Sequence, residues 1–216
     1  MPKNFVSNKD ESVRMFRDAF LDKISRVHFS VPLYLYVPVI LICIYRAFFI
    51  FQTNFFVFIG LVVIGFFLWT FTEYNLHRFI FHYQPKSEIG KRLHFITHGV
   101  HHDYPNDSMR LVMVPAISMP LCVIFYTIFF ILFGANLVDS FFVGYVIGYL
   151  FYDLSHYALH HANFKNKFWQ QLKQNHMKHH YMEPDRGYGV STTFWDHVYQ
   201  SRFRKEDKKI EEVVEH

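Results

Sequence analysis

The chain has 216 residues, the size of one domain, yet it is 51% hydrophobic and 20% aromatic with 27 Phe, a composition that reads as a membrane protein rather than a soluble one. Its net charge of +4 does not point to nucleic acid, because the basic residues flank apolar runs and are mixed with acidic ones. Cys43 and Cys122 both sit in apolar runs, which excludes a disulfide framework.

The amino terminus, MPKNFVSNKDESVRMF, is charged where a signal peptide would need its apolar core, so no cleavage is expected. Just beyond it, Val13, Phe16, Phe20 and Ile24 recur at helical spacing with Arg14, Arg17, Asp18 and Lys23 between them. That pattern predicts an amphipathic helix, lying in the membrane interface or packed on the rest of the protein.

Four membrane spans follow. Val27 to Tyr45, Ala47 to Thr72 and Leu111 to Val138 carry no charge apart from what flanks them, and Leu137 to Tyr152 is a weaker run interrupted by Asp139. The first three are long enough to cross a hydrocarbon core of roughly 30 Å. We read two hairpins whose connections, RAFFIFQTN and FGANLVDS, face one side. Of the 22 Lys and Arg, six precede residue 30, five lie between residues 75 and 110, and ten follow residue 152, leaving Arg46 alone. The positive-inside rule then puts the charged side in the cytosol.

The fifteen histidines gather on that same side. EYNLHRFIFH follows the second span with His77 and His82; HFITHGVHH precedes the third with His98, His101 and His102; DLSHYALHH and NHMKHH follow the fourth with His156, His160, His176, His179 and His180. The H-x-x-H-H spacing, written twice, projects two or three imidazoles from one helix face towards a common point. His156 and His160, four apart, form a natural ligand pair. His77 and His82 are separated by about 140° on a regular helix, which suits two different metals or a helix that ends between them.

One zinc takes about four ligands, so ten imidazoles suggest two metals. Imidazole serves iron, zinc, copper and nickel alike, and a histidine-rich pair beside a bilayer suits oxygen activation on a lipid, which needs a redox metal. His94 and His161 read as polar supports, and His28, His197 and His216 as residues facing water or the interface. Asp153, three residues before His156, is placed to accept the far ring proton of a bound imidazole. Asp196 could do the same, although TFWD reads better as a capping box with Thr193 as the cap. DRGYGVST supplies two glycines for a tight turn, bringing backbone to the site or merely connecting elements. Asn106 matches a glycosylation acceptor but would face the cytosol unmodified. Phe79, Phe81, Tyr152 and Tyr157 could line an acyl groove, although plain packing is the simpler role.

The order HRFIFH, HGVHH, HYALHH, HMKHH resembles the fatty acid hydroxylase and sterol desaturase superfamily of integral-membrane di-metal enzymes. The longer strings LHFITHGVHHDYPNDSMRLVM, GYLFYDLSHYALHH and HMKHHYMEPDRGYGVSTTFWD are similar to the catalytic domain of its fatty acid 2-hydroxylases, over about residues 70 to 200. The resemblance implies an all-α fold of four transmembrane helices with a cytosolic helical cap. It implies two metal ions, iron in the active enzyme and zinc possible in purified protein, held by His77, His82, His98, His101, His102, His156, His160, His176, His179 and His180. It also implies hydroxylation next to the carboxyl carbon of a long-chain acyl group, free or in a ceramide, by dioxygen. About 30 residues precede the first span, without the haem domain that many eukaryotic members carry, so electrons are expected from a separate cytochrome b-type protein or a ferredoxin with its reductase. The expected organisation is an interfacial segment over 1–30, the hydroxylase domain over 31–200 and a charged tail over 201–216. The membrane would be the endoplasmic reticulum in a eukaryote or the cytoplasmic membrane in a bacterium. A desaturase or sterol oxidase is the near alternative and a metal transporter the remote one, since transport places ligands near the bilayer midplane.

Overall fold

The structure, a computed structural model, describes residues 5–203. The tail read over 201–216 lies outside the described residues from position 204 onward, His216 included. Every regular element among the described residues is helical: α1 (Ala19–Ile24), α2 (Val31–Tyr45), α3 (Phe55–Asn75), α4 (Glu88–His94), α5 (Val100–Asp103), α6 (Pro115–Phe133), α7 (Ala135–His161), α8 (Lys167–Tyr181) and α9 (Phe194–Val198). Wider, π-type turns extend α2 over Arg46–Ile50 and α3 over Leu76–Phe81, and a third, Phe95–Gly99, joins α4 to α5.

Among the described residues, four helices are long and apolar enough to cross a membrane: Val31–Ile50, Phe55–Phe81, Pro115–Phe133 and Ala135–His161. Their ends follow local chemistry. The Asn54 side chain accepts from the amides of Phe56 and Val57 at the start of α3, Pro115 stands at the head of α6, and Gly134, at φ +72°, makes the break between α6 and α7. Both segments read as connections are largely helical. RAFFI continues α2, and the chain re-enters α7 at Ala135. The fourth span is therefore longer than the apolar run Leu137 to Tyr152, because its final turns carry histidines into the cap. Phe56, Val63 and Ile131, at 82%, 62% and 75% exposure, belong to the apolar girdle that α3 and α6 turn outwards.

Helix α7 is the axis of the bundle. Its apolar stretch is 78% buried, against 11 to 22% for the other three spans, and α2, α3 and α6 all pack on it. The α3–α7 contact is a backbone contact: a Cβ on Gly65 would fall 2.1 Å from the carbonyl oxygen of Phe141, and one on Gly144 would fall 1.9 Å from that of Val62. Small residues allow this approach between membrane helices. At the end away from the histidines, Asp139 is fully buried, pairs with Arg46 at 3.0 Å and accepts from the Tyr126 hydroxyl at 2.8 Å.

The amino-terminal segment departs from expectation. Only Ala19–Ile24 is helical, capped by Asp18, because the Asp22 carboxylate accepts from the amides of Met15 and Phe16 and folds the preceding chain back on α1. Phe20 is nonetheless 69% exposed, as an interfacial side chain would be.

Candidate metal centre

The ten histidines expected as ligands come together as two groups of five. His77, His82, His98, His102 and His179 form one; His101, His156, His160, His176 and His180 form the other, with candidate ligand atoms lying within 4.8 Å of one another in each. The ring nitrogens that converge are Nε2. In the first group they approach at 3.3 Å (His77 and His82), 3.1 Å (His82 and His98), 3.0 Å (His98 and His102) and 3.0 Å (His82 and His179). In the second they approach at 2.9 Å (His101 and His156), 2.9 Å (His160 and His176) and 3.1 Å (His176 and His180). Two nitrogens bound at right angles to one ion at ordinary metal–imidazole lengths stand about 3.0 Å apart. Lone pairs crowded so closely call for a cation between them. The donor set therefore fits two divalent ions of the iron or zinc kind.

Each H-x-x-H-H run divides between the groups. His98 and His102 go to the first and His101 to the second, whereas His176 and His180 go to the second and His179 to the first. His77 and His82 do not serve different groups. The widened turn, closed by the His82 amide on the His77 carbonyl, rotates both imidazoles towards one point, which regular helical geometry would not allow.

Burial keeps these imidazoles neutral. Desolvation first, then neighbouring imidazoles, hold His98, His101, His176, His179 and His180 well below the ordinary imidazole range and bring His102 down to about 3. A neutral imidazole is the form that binds metal.

Backbone carbonyls fix the tautomer of three of them. Nδ1 of His77 donates to the carbonyl of Tyr188 at 2.5 Å, Nδ1 of His179 to that of Arg186 at 2.7 Å, and Nδ1 of His156 to that of Leu111 at 3.1 Å. Each donation frees Nε2 as a ligand. The Asp153 expectation is corrected here: its carboxylate accepts from the Met113 amide at 3.4 Å, and the 111–113 strand of chain supplies the carbonyl for His156.

The glycine turn brings backbone to the site. Gly187 adopts φ +67°, and a Cβ on Gly189 would fall 2.0 Å from the Thr192 carbonyl oxygen, so the loop that carries the Arg186 and Tyr188 carbonyls can close only around glycines. Asp196 organises it, accepting from the amides of Tyr188 and Gly189 at 2.9 Å each and from the Ser201 hydroxyl at 2.7 Å. The expected capping box is not formed, since the Thr193 side chain makes no cap bond. Glu73, which sequence reasoning missed, accepts from the amides of Val190 and Ser191 at 2.9 Å each and from the Ser191 hydroxyl. Its signal was an acid inside the run FTEYN at the end of a span.

His94 and His161 belong to neither group. His28, His161 and His197 are exposed. Asn106 donates to the backbone and side-chain oxygens of Asn8. Of the four aromatics, Phe81 stacks on His98 and Tyr152 on His156, Tyr157 stacks on Phe29, and Phe79 is 52% exposed. None lines the chamber of about 260 Å³ that opens beside His101 between the amino-terminal segment and the start of α6. Its walls include Phe16, Ile96, Val112, Met113 and Ile117.

Comparison with known proteins agrees with this geometry. The family described as fatty acid hydroxylase matches residues 62–201. A dihydroceramide fatty acyl 2-hydroxylase of Arabidopsis thaliana is 36% identical over 88% of this chain and 79% of its own length. The ceramide very long chain fatty acid hydroxylase of Saccharomyces cerevisiae is 42% identical over 64% of this chain and 37% of its own, and human fatty acid 2-hydroxylase 33% identical over 88% and 56%. This chain thus spans less than two thirds of those last two. A solved structure described as full-length scs7p, with only the hydroxylase domain visible, matches with a TM-score of 0.80 at 35% identity over 86% of this chain and 70% of that one.

Proposed function

The chain belongs to the fatty acid hydroxylase family, and from that membership we propose that it is an oxidoreductase that places a hydroxyl group on C2 of a long-chain fatty acyl group, free or sphingolipid-linked. The observation that carries the reading is the convergence of ten histidines, all buried except the half-buried His82 and His102, into two groups of five at the cap end of the spans. The ten are proposed as ligands to two irons, and the bound metals would supply the activation of dioxygen. The reaction consumes one dioxygen, two electrons and two protons; the C2–H becomes C2–OH and the second oxygen leaves as water. The electrons are proposed to come from a carrier such as a cytochrome b-type protein or a ferredoxin with its reductase.

The protein's own part is to hold and position. Three backbone carbonyls orient His77, His179 and His156, Asp196 and Glu73 fix the loop that bears two of those carbonyls, and the apolar chamber beside His101 excludes water from an acyl chain. The proposed organisation is an interfacial segment over 1–30 and a hydroxylase domain over 31–200, with the cap in the cytosol. That orientation rests on the distribution of Lys and Arg.

The test is the 2-hydroxy fatty acid content of lipids hydrolysed from cells that lack their own hydroxylase, supplied with a donor protein and expressing this chain or its His179→Ala variant. A 2-hydroxy product from the wild type that disappears in the variant is expected. Desaturated or sterol products in its place would assign a different oxidation to the same metal centre.

A further inference from the structure

The chamber beside His101 holds a charged group that the reaction has not yet used. Arg110 stands in its wall with a side chain only 3% exposed. Its Nε, Nη1 and Nη2 make no hydrogen bond among the described residues. The nearest carboxylate oxygens, on Asp22 at 3.7 Å and Asp107 at 3.8 Å, lie beyond hydrogen-bond reach. Asp22 is engaged with the Met15 amide and Arg26, and Asp107 through its Oδ1 with the Ser12 hydroxyl and the Met109 amide, while its Oδ2 faces the Arg110 Nε without a hydrogen bond. Buried donors left idle in this way are uncommon and costly, and a guanidinium fork is shaped to meet oxygen.

We propose that Arg110 anchors the C1 oxygen of the bound acyl group, an inference that rests on the 2-hydroxylase reading. C1 is bonded to the carbon that reacts, so a donor in the same wall as the metal-site residue His101 decides which carbon faces the metals. The rest of the chamber suits a hydrocarbon tail, and Met113 also lines a second apolar cavity between the spans, next to Tyr36, Trp69 and Phe125. The charges beside the anchor, Asp22, Asp107, Arg26 and Arg110, sum to zero. A neutral carbonyl, as in an N-acyl amide, keeps that balance, whereas a free carboxylate adds a negative charge.

The experiment uses the purified, metal-loaded full chain, supplied with dioxygen and a reducing system (a cytochrome b-type protein or a ferredoxin, each with its reductase), with an N-acylsphinganine and with the free fatty acid of equal length. Arg110→Gln, with both metals retained, is expected to raise KM by about 10- to 100-fold, the range for a lost hydrogen bond to a charged group, with kcat changed far less. A 3-hydroxy product should appear beside the 2-hydroxy one, which a merely structural role for Arg110 would not produce. Arg110→Lys should fall between. Wild-type KM and an unchanged hydroxyl position in a metal-replete variant would overturn the assignment. A lower KM for the free acid in the wild type would overturn the preference for the amide. Should both variants lose metal, a diazirine-bearing N-acyl amide cross-linked to the wild-type protein decides alone: label within residues 96–101 or 110–117 supports the chamber, and label confined elsewhere refutes it. A wild type that yields no hydroxylated product would refute the 2-hydroxylase reading, while cross-linking still reports on the chamber.

Discussion

His77 and Tyr188 lie 111 positions apart, yet the imidazole Nδ1 of the first donates to the backbone carbonyl of the second at 2.5 Å. That bond ties the end of a membrane span to a buried loop near the carboxyl end of the described chain. The loop is held in turn by Asp196 and Glu73, so two carboxylates that touch no metal-site nitrogen determine how one group of histidines is presented.

Asp196→Ala is therefore expected to weaken metal retention in the group containing His77 by about 10- to 100-fold, the usual cost of losing an outer support. Chelator titration with metal counting should show one equivalent leaving early and the other leaving as in the wild type. Simultaneous loss of both would mean that Asp196 supports the whole cap rather than one group.

Glu73 gives a stability prediction. Glu73→Ala leaves the amides of Val190 and Ser191 buried without their acceptor, at about 1–3 kcal/mol each. Glu73→Gln keeps one acceptor oxygen and should cost less. Thermal unfolding in detergent should rank wild type above Gln and Gln above Ala.

Much of this arrangement was legible in the sequence, and the parts that were not share a cause. Uncharged runs marked three spans and a weaker run interrupted by Asp139 the fourth, and histidine spacing marked all ten residues of the two groups. Period alone could not say that each H-x-x-H-H run serves both groups, because the division depends on how α5 and α8 cross the ends of α3 and α7. Nor could it place His77 with His82, since that pairing needs a π turn in place of a regular one. The carbonyl partners of His77, His156 and His179 were invisible for a simpler reason: backbone groups are present at every position, and only the folded loop selects one. Gly144 and Gly148 did carry a signal, a G-x-x-x-G in an apolar run, which is a known pattern for close helix packing.

That packing can be tested directly. Gly144→Ala puts a Cβ against the Val62 backbone and should cost about 1–3 kcal/mol or more, the range for overpacking a tight core. Gly60→Ala, where a Cβ meets nothing within 4 Å, should be neutral or slightly stabilising. Equal melting temperatures for the two variants would contradict the backbone contact between α3 and α7.

At the other end of the bundle, Asp139→Ala leaves the Tyr126 hydroxyl without its acceptor and the half-exposed Arg46 without its partner, and should destabilise by about 1–3 kcal/mol. Replacing both by apolar residues of similar volume should recover most of that loss. A double-mutant cycle measures the coupling, and additive single losses would show that the 3.0 Å pair contributes nothing jointly.

Hydroxylation of C2 with an oxygen atom from dioxygen can be observed in the product itself. The direct measurement is to express the chain, with a donor protein, in cells without their own hydroxylase under ¹⁸O₂, and to determine the position and isotope of the new hydroxyl by mass spectrometry. The expected product is 2-hydroxy fatty acids carrying one ¹⁸O, absent from both His179→Ala and His180→Ala. A hydroxyl bearing oxygen from water, or product that survives loss of either histidine, would contradict the 2-hydroxylase reading.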